Sequence, residues 1–242
     1  MDAVFSFDIA HWRAWAPGLS SAEDWLRWSA DRQAPADEGA APDVSFLPAM
    51  QRRRLSRLAR MVFHVGWPLA EGYDRLPFIF VSRHGETPRT FEMLADLARN
   101  EPLSPTQFSL SVHNAVIGLW SILRGETSEM TALAAQGDGL EHGMLEAAAL
   151  LAEGAPAVLL VLAEEQPPAP YEPWVDDVPF AYAIGLLVTP GNGWCLNQAP
   201  AGQATATSGL PHGLSLLSAL AAGHTTLHHR WKHRAWTWQS NQ

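Results

Sequence analysis

The run Ala157-Val158-Leu159-Leu160-Val161-Leu162-Ala163 has no polar position on either face. Side chains of a strand alternate between its two faces, so this one must be buried on both and lie centrally in a sheet covered by helices. Gly139 to Glu153, rich in Ala and Leu, is a helix that ends at Gly154-Ala155-Pro156. Leu76 to Ser82 is a second buried-strand candidate, short, apolar and bounded by turn residues. These segments predict a layered α/β fold.

Other elements follow from periodicity. Ala22 to Ser29 is a helix with Trp25 and Trp28 on one face and Glu23 and Asp24 at its start. Gln33 to Pro48 reads as an exposed loop. Gln51 to Val65 is expected as one basic helix, with Leu55, Leu58, Met61 and Val62 as its stripe and Arg52, Arg53, Arg54, Arg57 and Arg60 around it. Such an arginine cluster is a solvated face or a docking patch for an acidic partner. Thr90 to Asn100 and Ser111 to Leu123 are further helices, the second mostly apolar. The proline-rich stretch Glu164 to Pro173 divides a lobe, 1–170, from an abbreviated second lobe and tail, 171–242, within one compact unit. Phe180 to Val188 is a strand expected to turn at Pro190-Gly191-Asn192-Gly193 into Trp194 to Leu196 as a hairpin. Ala199 to Gly209 reads as loop, and Leu214 to Leu220 begins a final helix.

Composition narrows the classes of function. A net charge of -9 argues against nucleic-acid binding, which relies on clustered Lys and Arg. The single cysteine, Cys195, excludes an intrachain disulfide and fits a reducing compartment. Neither a signal peptide nor a membrane span is indicated, so the expected location is the cytoplasm. His224, His228, His229 and His233 could bind a metal if helical, but no acidic or cysteine ligand accompanies them. They are read, with Trp231, Arg230, Lys232 and Arg234, as a basic surface tail. Neither a metal nor a cofactor is expected.

Two motifs compete for the chemistry. Arg83-His84-Gly85-Glu86-Thr87 after a strand resembles the histidine phosphatase signature, in which the histidine takes the phosphoryl group and the arginine holds it. His212-Gly213 would supply the second histidine. That family carries its motif at the first strand, whereas here it lies far into the chain.

The run Ser104 to Gly118, with Ser111-Val112-His113-Asn114-Ala115 within it, resembles the segment that precedes the active cysteine of beta-ketoacyl synthases. Thr131-Ala132-Leu133-Ala134-Ala135-Gln136-Gly137-Asp138-Gly139 then resembles the strand-to-helix elbow that carries that cysteine. The resemblance is clearest from Leu76 to Tyr171. It assigns the nucleophile's position to Gly137, with Gln136 adjacent, and it implies a thiolase-like α/β fold truncated in its second lobe, where synthases keep two histidines and a lysine. Condensation needs a thiolate at a helix N-terminus, and neither Gly nor Gln forms an acyl thioester. Small cysteine-less relatives are the chain-length factors of aryl polyene systems. The resemblance therefore implies a non-catalytic partner of a catalytic ketosynthase in a heterodimer, working on chains borne by an acyl carrier protein. His84, Phe91, Phe108, Val112 and His113 become candidates for acyl-tunnel or interface contacts, with plain core packing the equal alternative. A homodimeric acyl-binding or scaffold protein is a third reading.

Overall fold

The computed structural model describes residues 3–37, 39–200 and 209–241. Its elements are β1 (Ala3–Trp15), α1 (Ala22–Asp31), α2 (Ala49–Arg52), α3 (Arg57–Leu69), β2 (Phe78–Val81), α4 (Thr87–Ala98), α5 (Pro105–Ser111), α6 (Ala115–Arg124), β3 (Met130–Leu133), α7 (Gly139–Ala152) and β4 (Val158–Glu164). A 3₁₀ turn (Ala169–Trp174), β5 (Tyr182–Pro200), α8 (His212–Ala222), β6 (Thr226–Trp231) and β7 (Arg234–Ser240) complete the chain.

The strands form one sheet in the order β3-β2-β4-β5-β7-β6, with β1 also paired to β5. β2 runs parallel to β3 and β4, while β5 is antiparallel to β4, β1 and β7. All seven residues of β4 are buried, in the central place its composition demands. Leu159, Val161 and Ala163 pack with α3 and α6 on one face; Val158, Leu160 and Leu162 pack with α1, α7 and α8 on the other. Truncating any of these leucines to Ala would cost about 2–5 kcal/mol, because a filled three-layer core relaxes little around a cavity. No helix among the described residues is long and apolar enough to cross a membrane.

Several expectations need correction. The basic helix is two helices, because Ser56 caps α3 by accepting the Ala59 N–H at 3.0 Å and ends the continuity. Its arginines are largely engaged: Arg57 binds Asp37 at 2.7 Å, and Arg52 and Arg60 donate to the carbonyls of Ser45 and Arg52. The Ser111–Leu123 helix is likewise broken, at Val112 to Asn114, between α5 and α6. Pro190 to Gly193 does not turn a hairpin. These residues bulge within the continuous strand β5, whose halves both pair with β1 across a register shift at Phe7/Asp8. Asp8 accepts the Gly193 N–H at 2.6 Å, and a Cβ on Gly191 would overlap the Asp8 carboxylate. The C-terminal segment is a hairpin packed on the sheet, not a tail: Trp236, Trp238 and His229 are buried, while His224, His228, Arg230, Lys232 and His233 are exposed as expected. His228 and His229 are in strand, His224 precedes it and His233 sits in the hairpin turn, so none is helical and the i, i+4 spacing for metal binding does not arise. The expected loop Ala199 to Gly209 lies mostly outside the described residues; Ala199 and Pro200 belong to β5.

Candidate functional site

Strand β3 ends at Leu133 and α7 begins at Gly139, which makes the sharp elbow expected from the sequence. The tip of the β6–β7 hairpin sits on it. Lys232 Nζ is 2.5 Å from Gln136 Oε1, and Arg234 holds both oxygens of Asp138 at 2.6 and 2.9 Å. Trp236 Nε1 adds a third bond to Asp138 at 3.1 Å. Burial opposes ionisation of Asp138, but Arg234, Trp236 and His142 outweigh it and hold the carboxyl below its ordinary range.

One turn into α7, Glu141 is fully buried. Its carboxylate accepts His212 Nδ1–H at 2.8 Å, His229 Nδ1–H at 2.5 Å and Trp238 Nε1–H at 3.1 Å. The two imidazoles stack with centroids 4.2 Å apart and planes 21° from parallel. Burial alone would raise the Glu141 carboxyl, yet the histidine bonds lower it; burial would lower His212, yet Glu141 raises it. Glu141 and His212 thus form a charged pair. Two histidines and a carboxylate also have the composition of a metal site. The geometry instead is that of hydrogen bonds. Ligand atoms around tetrahedral zinc stand about 3.3 Å apart, wider than both imidazole–carboxylate separations here, and near-parallel rings do not aim their nitrogens at one point.

A second buried carboxylate, Glu164 at the end of β4, accepts the N–H groups of Arg83 and His84 and the Ser82 hydroxyl. Burial pushes its pKa up to about 7 against these bonds. Asp177 binds Arg83 at 2.6 Å and His84 at 3.0 Å. Burial raises its carboxyl less than those partners lower it, to about 2. Arg83 and His84 are therefore both engaged by a carboxylate of the protein itself. That contradicts the phosphatase reading, which needs both free for a phosphoryl group, and His212 is committed to Glu141 besides.

Between the two groups lies a cavity of about 240 Å³, walled by Gln136, Gly137, Trp231, His212, His229 and Glu164 among others. Among the described residues, no Cys, Ser or Thr lines it. Of the residues singled out from the sequence, Gly137, Gln136, Arg83, His212, Gly213 and His229 border this cavity. His84, Phe91 and His113 line a smaller one of about 140 Å³, in which Phe91 packs edge-on to Tyr171 and His113 Nε2 lies 2.8 Å from the Ser82 carbonyl. Phe108 and Val112 do neither: they are 61% and 41% exposed at the surface of and just beyond α5. Cys195 lies in β5, opposite Ser6 and Gln239, and does not line the large cavity. Sequence reasoning missed Asp138, Glu141, Glu164 and Asp177, and it assigned His229, which is buried here, to a surface tail. The acid in the first turn of α7 was the one local signal available.

The beta-ketoacyl synthase N-terminal domain model matches residues 25–239, well beyond the Leu76 to Tyr171 stretch where the resemblance is clearest. One chain of the complex of the ketosynthase ApeO with its chain length factor ApeC, from Xenorhabdus doucetiae, is 31% identical at a TM-score of 0.84, with 97% of this chain and 99% of that chain covered. The ishigamide ketosynthase/chain length factor is 14% identical at a TM-score of 0.56, with 81% of this chain and 67% of that chain covered. A chain of AntDE:AntF, a type II PKS acyl-carrier protein in complex with its ketosynthase, is 9% identical at 0.65, covering 98% and 99%. These last two show the fold. No curated protein matches the chain.

Proposed function

The chain belongs to the beta-ketoacyl synthase N-terminal domain family, with the thiolase-like fold of its neighbours, and on that premise we propose that it is the non-catalytic, chain-length-factor-like subunit of a ketosynthase heterodimer. The observation that carries this reading is the elbow. It keeps the strand, turn and helix that present a nucleophile, but offers Gly137 in a cavity whose lining, among the described residues, holds neither a thiol nor a Ser or Thr hydroxyl. An acyl thioester cannot form there.

The surface supports a partner. Among the described residues β3 pairs only with β2, so its other edge offers free backbone groups for strand addition. The helices that follow β2 expose Leu94, Leu97, Phe108, Val112 and Ile122, the last at 75%. α4 packs on α5, α5 on α6 and α6 on β3, so these apolar side chains belong to contiguous elements that end at the free edge. A surface of this kind favours burial against another subunit. The partner is a catalytic ketosynthase, as the matched complex of a ketosynthase with its chain length factor supports. In this role the chain stabilises the active subunit and borders the tunnel receiving an acyl chain from an acyl carrier protein, with His84, Phe91, Phe108, Val112 and His113 as its contacts.

The test is co-expression with a ketosynthase from the same aryl polyene type of system. A stoichiometric complex on affinity capture and size exclusion is expected. A chain that purifies alone, or only as its own homodimer, would favour the scaffold reading.

A further inference from the structure

Gly137 is not among the glycines with positive φ, so its backbone conformation is open to any residue. Space is what excludes a side chain. A Cβ at this position would overlap Cε3 and Cζ3 of the Trp231 indole and lie 2.8 Å from its Cδ2. The indole thus occupies the volume into which a residue at the elbow would project. It is held there at several points, since Trp231 Nε1 reaches Gln136 Oε1 at 3.4 Å, Lys232 grips the same oxygen, and Arg234 clamps Asp138.

We propose that Trp231 is a built-in stopper of the elbow, carried on the hairpin tip and pinned by Lys232 and Arg234, and that it keeps the cavity closed to acyl thioesters. This deepens the reading above and depends on it only for treating position 137 as the lost-nucleophile site. Restoring a cysteine alone would place a thiol inside an aromatic ring, so the hairpin tip must move or the thiol stays shielded. His212 and His229 line the same cavity as the indole.

The experiment uses the isolated chain, without any ketosynthase, so its outcome is independent of partner binding. In a Cys195→Ser background, Gly137→Cys is made with Trp231 and with Trp231→Ala, and iodoacetamide labelling is followed by intact mass. Labelling is expected to be roughly tenfold or more faster in the Trp231→Ala protein, because thiol reactivity follows access. Equal rates would overturn the proposal. Should Gly137→Cys fail to fold with Trp231 in place, Gly137→Ala replaces it and thermal melting is the readout. Gly137→Ala should lower the melting temperature beside Trp231 and change it little in the Trp231→Ala background. An equal loss in both backgrounds would also overturn the proposal.

Discussion

His229 on β6 donates its Nδ1–H to Glu141 on α7 across 88 residues of sequence, at 2.5 Å, and both side chains are buried. This bond, with those from His212 and Trp238, ties the C-terminal hairpin and α8 to the helix that follows the elbow. Removing the carboxylate leaves two buried imidazoles and an indole without their acceptor. Glu141→Ala should therefore destabilise the fold by about 3–5 kcal/mol in urea unfolding. A change below about 1 kcal/mol would show that the group is not structural.

The same group has a defined pH dependence. Glu141 is held below 4.5, so its contribution is present above that value and is lost as pH falls through the lowered one. His212 is raised above 6.5, so its contribution is complete below 6.5 and is lost as pH rises through the raised value. Both are complete between pH 4.5 and 6.5. In His212→Phe the loss of stability above 6.5 that is due to this histidine should disappear from a pH series of melting curves.

Glu164 acts in the opposite sense to an ion-paired acid. Its folded pKa of about 7 exceeds the ordinary 4.5, so the folded state holds the proton more tightly. Stability should fall as pH rises from 4.5 to about 7, by on the order of 3 kcal/mol. Glu164→Gln, which cannot ionise, should flatten that part of the profile; an unchanged slope would assign it elsewhere.

Gly191 is required by the β5 bulge. In Gly191→Ala the new methyl displaces the Asp8 carboxylate and leaves the Gly193 N–H without its acceptor. The expected cost is about 1–3 kcal/mol. The same substitution should cost less in an Asp8→Ala background, which a double-mutant cycle measures directly.

These residues also show what was legible in the sequence. β4 and the elbow were read correctly because each is a local pattern: an unbroken apolar run, and a short strand meeting the N-terminus of a helix. β1 was missed although Phe5, Phe7 and Ile9 alternate with Ser6 and Asp8, because the extra residue Ala10 between Ile9 and His11 breaks the two-residue alternation after one short stretch. The last hairpin was mistaken for a surface tail because His229, Arg230, Lys232 and Arg234 raise its polarity. Their partners Glu141, Gln136 and Asp138 lie more than ninety residues away in most cases. Trp236 and Trp238 did carry a strand alternation, which the charges around them obscured. Glu164 and Asp177 were invisible for the same reason: a buried carboxylate is defined by its tertiary partners.

Phe108 and Ile122 should matter for association and not for folding. Both are largely exposed, so Phe108→Asp and Ile122→Asp are expected to leave the melting temperature of the isolated chain nearly unchanged. Each should weaken capture of a co-expressed ketosynthase by roughly tenfold or more if it lies centrally in the interface. Retained capture by both variants would move the interface away from α5 and α6.

The most direct measurement is the condensing activity of a ketosynthase purified with and without this chain, using acyl and malonyl groups on an acyl carrier protein. Activity is predicted only, or far more strongly, when the chain is present, and none from the chain alone. Condensation by this chain in the absence of any ketosynthase, or full activity of the ketosynthase without it, would contradict the account.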